Sequence, residues 1–115
     1  MMITMAIEAM AEAVVLTEAN GLPRETFFEL ILGTLFGSRS YEVYSRQISE
    51  KTYEPGFKAS LGLKDLGLAS EAAEAAGRRL PMLDVVRGQM TLAVEAGLGE
   101  RDWSIMADVT IQGRK

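Results

Sequence analysis

From Met1 to Leu16 the chain is apolar except at Thr4, Glu8 and Glu12, a pattern that predicts a helix running to about Asn20. Asn20-Gly21 supplies its stop, and Pro23 follows shortly after. Apolar positions nearly encircle this helix, so it is expected to pass through the centre of the domain. No Ser, Thr, Asp or Asn precedes the run in a capping position. Two expectations fit that start: a helix belonging to a longer chain of which this is the C-terminal portion, or a natural beginning whose first turn frays. The glutamates, the lack of a basic segment ahead of the run and its shortness against the roughly 20 residues of a span argue against a signal peptide or membrane helix.

Leu22-Pro23-Arg24-Glu25 opens a second helix, with Phe27, Phe28, Leu30, Ile31, Leu32 and Leu35 as its buried side and a break over residues 37–40. Gly33-Thr34-Leu35-Phe36-Gly37-Ser38 has neither a following lysine nor a preceding strand, so a tight turn is expected there and not a phosphate-binding loop. A third helix over residues 41–51 turns Tyr41, Tyr44 and Ile48 inward. Residues 52–57, with Pro55-Gly56, form a connection of the kind that carries site residues. A fourth helix spans 60–76 and closes at Gly77. A fifth spans 81–96, with Met82, Val85, Val86, Met90 and Val94 inward, and ends at Gly97-Leu98-Gly99. The sixth starts at Asp102 as N-cap before Trp103 and runs into a polar tail, Gln112-Gly113-Arg114-Lys115. No alternating run predicts a strand, and the fold class is an all-α bundle of about six helices.

At 115 residues, 48% of them hydrophobic, the chain suits one domain around one core. A net charge of −4, with no basic cluster longer than Arg78-Arg79, argues against nucleic acid or an anionic membrane as the main partner. Cysteine and histidine are absent, which removes disulfides, thiolate metal sites and the commonest neutral-pH acid/base, and agrees with a cytoplasmic location. Glu8 and Glu12 share a helical face, but carboxylate di-metal bundles also need Glu-x-x-His, so no metal is expected and the pair reads as a polar stripe or interface contact. The methionines and Tyr41, Tyr44 and Tyr53 read as packing residues.

The stretch Gly56-Phe57-Lys58-Ala59-Ser60-Leu61-Gly62-Leu63-Lys64-Asp65-Leu66-Gly67-Leu68-Ala69 changes this picture. At about 100° per residue, Leu61, Leu68, Ala69, Ala72 and Ala76 share one side of the fourth helix; Asp65 falls inside that arc and Lys64 at its edge. A carboxylate on an apolar face is costly without a partner, and Lys64, Arg78, Arg79, backbone N–H groups or a group outside the chain are the candidates. Two readings stand: a buried acid tying two helices together, or a fixed charge that, with Lys64, orients a ligand across the domain edge.

Gly56-Phe57, Leu61 and Leu63-Lys64-Asp65-Leu66-Gly67-Leu68-Ala69, then Leu80-Pro81-Met82 and Gly97-Leu98-Gly99-Glu100-Arg101-Asp102-Trp103-Ser104, together resemble the C-terminal helical domain of the β-hydroxyacid dehydrogenases. That family includes 3-hydroxyisobutyrate dehydrogenase and, more distantly, 6-phosphogluconate dehydrogenase. The likeness covers essentially the whole chain, with Glu12-Ala13 and Ala19-Asn20-Gly21-Leu22 in register. The resemblance implies hydride transfer between NAD or NADP and a small hydroxy acid, semialdehyde or imine. It also implies a homodimer and a Rossmann domain as partner. Lys64 matches the lysine that reaches the cofactor, Asp65 its neighbouring acid at the cleft, and Phe57 an aromatic that closes the substrate pocket. The glycine-rich dinucleotide fingerprint and the Gly-x-x-x-Lys-x-x-x-Asn segment with the general acid/base lysine are absent from residues 1–115. On that account the chain alone is expected neither to bind the cofactor tightly nor to turn over. The competing expectation is a helical association module without chemistry.

Overall fold

Proline, glycine and polar caps punctuate the chain where the helices begin and end. The computed structural model describes residues 1–113, so Arg114 and Lys115 of the polar tail lie outside the described residues. Six α-helices follow in order: α1 (Met2–Ala19), α2 (Arg24–Leu32), α3 (Arg39–Glu50), α4 (Ala59–Ala75), α5 (Pro81–Ala93) and α6 (Met106–Ile111). A widened turn, Val94–Leu98, follows α5 and is broken at Gly97, whose φ is 83°, and a 3-10 turn, Trp103–Ile105, leads into α6. Among the described residues there is no β-strand, only an isolated antiparallel bridge between Lys58 and Asp102. None of the described helices is long and apolar enough to cross a membrane.

α1 is the central element, packing most extensively on α6 and also on α2, α3 and α5. Its buried line is Thr4, Ile7, Glu8, Met10, Ala11 and Val14. Burial stops short of the full circumference: Met2, Ile3, Val15 and Leu16 stay exposed. Glu8 departs from the expected polar stripe, since it is only 5% exposed while Glu12 on the next turn faces solvent. The core joins Ile7, Met10 and Val14 to Ile48, Leu66, Leu83, Met90, Met106 and Val109. Arg24, buried at the start of α2, donates twice to the Glu18 carboxylate at 2.7 and 2.9 Å and once to the Ile48 carbonyl at 3.1 Å, which pins the α1–α2 turn to the end of α3.

Three faces depart from the periodicity. α2 ends at Leu32, so Leu35 lies beyond it and is fully exposed, as is Leu30 for the most part; Phe28, with Phe27, Ile31 and Leu32 partly buried, forms the inner side. The turn that follows closes at Gly37, where a Cβ would collide with the Leu32 carbonyl oxygen. In α5 the inner line is Leu83, Val86, Met90 and Ala93, whereas Met82 and Val85 face out and Val94 is half-buried. In α4 the buried residues are Ala59, Gly62, Leu66 and Ser70. Leu61, Leu68, Ala72 and Ala76, taken in the periodicity as its inner arc, are exposed, and only Ala69 is half-buried.

Close approach decides the α4 face. A Cβ on Gly62 would sit 3.2 Å from Met90 Cε and 3.3 Å from the Trp103 ring, so a bare backbone there lets α4 press onto α5 and the 3-10 turn. The packing face is chosen by small residues and not by the leucine stripe.

Candidate functional site

The start of α4 is built by two distant segments. Asp102, 1% exposed, accepts the backbone N–H groups of Gly56 and Phe57 at Oδ1, each at 3.0 Å. Its Oδ2 accepts the Ser104 N–H at 3.0 Å and the Ser104 hydroxyl at 2.5 Å, so the expected N-cap forms and also clamps a loop 45 residues upstream. Main-chain bonds continue the seam: Trp103 N–H to the Phe57 carbonyl at 2.7 Å, Asp102 N–H to that of Tyr53 at 3.1 Å, Ala59 N–H to that of Arg101 at 2.8 Å, and Ser60 N–H to that of Gly99 at 2.9 Å. The first amides of α4 are thereby taken by protein carbonyls, which removes this helix start as an anion cradle.

Entry into the clamped loop is strained. Lys51 and Tyr53 both adopt positive φ, 56° and 46°, without being glycine. The Tyr53 ring is buried and its hydroxyl has no hydrogen-bond partner; burial, reinforced by the charge of Asp108, pushes that phenol up to about 12. Tyr53 is therefore a neutral packing group across the physiological range.

Phe57 lies half-buried beside Trp103, with ring centroids 4.6 Å apart. Trp103 in turn donates its indole N–H to the Tyr44 hydroxyl at 2.9 Å, and the Ser104 hydroxyl oxygen lies 2.9 Å from the Gln47 side-chain amide, so α3 backs the seam. Lys64 and Asp65 stand elsewhere. Both are exposed on the outer side of α4 with Leu61, 49% exposed, and Leu68, 55% exposed, and neither takes part in an ion pair among the described residues. The reading of Asp65 as a buried tie between helices is thus overturned: the apolar arc that holds it faces out, so no desolvation forces a partner within the chain. No hydrogen bond joins Phe57 to Lys64 or Asp65.

Sequence reading finds Asp102 as a cap and misses it as a clamp. The cap is legible from Asp-Trp-Ser alone, whereas its loop partners are backbone amides, which leave no trace in residue type. No group of three or more metal-ligating side chains occurs among the described residues.

The fold is shared with a crystal structure of a 3-hydroxyisobutyrate dehydrogenase from Salmonella typhimurium, at a TM-score of 0.85 and 26% identity, covering 94% of this chain and 38% of that one. The family described as NAD-binding of NADP-dependent 3-hydroxyisobutyrate dehydrogenase matches residues 1–110, and the chain belongs to it, within the β-hydroxyacid dehydrogenases. The uncharacterized oxidoreductase YfjR of Bacillus subtilis is 38% identical over 101 residues, 87% of this chain and 35% of that protein. The NAD-dependent L-serine dehydrogenase of Pseudomonas aeruginosa is 35% identical over 103 residues, 84% of this chain and 35% of that protein. The chain therefore spans about a third of the length of these relatives.

Proposed function

We propose that this chain, over residues 1–115, is the helical substrate and dimerisation domain of a nicotinamide-dependent hydroxyacid dehydrogenase of the cytoplasm, presenting the outer face of α4 to a Rossmann domain. The observation that carries the reading is that face itself: Leu61 and Leu68 lie exposed around a lysine and an aspartate, a mixed surface suited to being covered. A relative named NAD-dependent L-serine dehydrogenase supports a small hydroxy acid as substrate.

The residues present fit the edge of a nicotinamide cofactor and not its diphosphate. Lys64 offers an ammonium with an apolar flank, while the opening amides of α4 are occupied and α5 begins with Pro81. When bound, the cofactor supplies the hydride acceptor or donor. Lys64 orients it by donating hydrogen bonds. Asp65 would stand next to Lys64 in sequence as the neighbouring acid at the edge of the cleft. Phe57, fixed by Asp102 through its own N–H, limits the pocket and excludes water.

In a protein that carries this chain joined to its nucleotide-binding part, Lys64→Ala and Asp65→Ala are expected to lower kcat/KM by about a hundredfold with unchanged helical circular dichroism. Turnover close to wild type in both variants would remove them from the site.

The homodimer belongs to the same proposal. Met2, Leu16, Leu30, Leu35 and Phe36 leave large apolar side chains in solvent. Light scattering of the chain should give a mass that rises with concentration toward twice the monomer; a constant monomer mass would sink the dimer. A helical association module without chemistry would share that behaviour and lack the response to Lys64→Ala.

A further inference from the structure

Glu8 is a buried carboxyl group that the proposed chemistry does not use. It lies on α1, and the hydroxyl of Thr110 on α6 is within hydrogen-bonding distance of both its oxygens, at 2.7 Å from Oε2 and closer still to Oε1. From α5, the Gln89 amide donates to the same hydroxyl oxygen at 2.7 Å. Three helices therefore meet on one threonine oxygen.

Among the described residues Thr110 is the one side chain that donates to Glu8, and its single hydrogen serves one carboxyl oxygen or is shared between both. The Gln89 amide spends its hydrogen on Oγ1 and offers none to Glu8. An ionised Glu8, buried at 5% exposure, has one donor for two oxygens, so its place in the fold favours the protonated group.

The surroundings offer the charge no relief. Glu8 borders an open cleft of about 310 Å³ between α1 and α5, whose walls include Met5, Met82, Val85 and Val86. No lysine or arginine lines it, and its second polar group is Glu12, one turn along α1 and of the same sign. From α5 the group meeting the cluster is the neutral Gln89, and from α6 the neutral Thr110.

We infer that Glu8, Thr110 and Gln89 form a proton-operated latch between α1, α5 and α6, closed while Glu8 carries its proton and loosened when it ionises and draws water in from the cleft. Burial first, and Glu12 second, push the Glu8 carboxyl up to about 7, against the opposing hydrogen bond from Thr110. Because the folded value lies above the ordinary 4.5, the stabilisation is complete below 4.5 and is lost as pH rises through about 7.

Urea unfolding of the chain at steps from pH 4.5 to 8.5 tests the latch. The wild-type folding constant is expected to fall by roughly two orders of magnitude relative to Glu8→Gln, which keeps the shape and cannot ionise. Amide exchange in α5, corrected for its intrinsic pH dependence, should accelerate over the same interval in the wild type alone. Infrared spectroscopy gives a readout independent of the variant: a protonated-carboxyl band at pH 6 that fades by pH 8. Parallel pH profiles for wild type and Glu8→Gln, or no such band at pH 6, would overturn the inference. Glu12→Gln should move the wild-type midpoint to lower pH, and a midpoint moved upward would count against it.

Discussion

Replacing Asp102 by alanine is expected to cost about 4 kcal/mol of folding stability, a large share of the roughly 5–15 kcal/mol that holds a domain folded. The aspartate accepts four hydrogen bonds, from the amides of Gly56, Phe57 and Ser104 and from the Ser104 hydroxyl. Alanine leaves these donors facing an empty and largely dry pocket, and a buried donor without an acceptor costs about 1–3 kcal/mol. Ser104 retains the Gln47 side chain for its hydroxyl, which keeps the total below four full penalties. Asparagine is the sharper control. It preserves volume but offers one carbonyl oxygen, and its amide hydrogens would point at other donors, so Asp102→Asn should lose about 3 kcal/mol. Urea unfolding followed by circular dichroism measures both; a loss below about 1 kcal/mol in the alanine variant would mean that the seam holds without its carboxylate.

The second large effect is at Trp103. Its ring stacks beside Phe57 with centroids 4.6 Å apart, meets Tyr44 edge-on at 6.3 Å and covers Gly62, where α4 comes closest to the turn. Truncation to alanine removes those contacts and opens a cavity between α3, α4 and the 3-10 turn, for which about 3–5 kcal/mol is the usual loss. Phenylalanine retains most of the contact and forfeits the bond from the indole N–H to the Tyr44 hydroxyl, so Trp103→Phe should cost about 1–2 kcal/mol. Because Trp103 is the single tryptophan, circular dichroism is the suitable signal for these variants. Equal losses for alanine and phenylalanine would assign the whole effect to the hydrogen bond.

The helix pattern is legible because its signals are local. Pro23 and Pro81 open helices, Gly21 and Gly77 close them with positive φ, and Asp102 caps the turn that follows it. The packing faces of α4 and α5 are not legible from apolarity. Leu61 and Leu68 outweigh Gly62 and Ser70 on any hydrophobic scale, yet the small residues face inward because they permit contact. Leu61 and Leu68 read as core for the same reason that they leave an exposed apolar face. The proposed site divides along the same line. Phe57, Lys64 and Asp65 are findable as residue types in a spacing, whereas the clamp that orients Phe57 runs through backbone amides and becomes visible only when residues 56 and 102 are brought together.

That α1 packs chiefly on α6 bears on how the polypeptide acquires its core. The first helix completes its main interface only with the last, and the start of α4 waits for residues 99–104. During synthesis a stretch of this domain that stops short of α6 can set α1 only against α2, α3 and α5, and the part of α1 that α6 covers stays open until the sixth helix has left the ribosome. The interval before α6 emerges is the period when this domain most depends on protection from aggregation.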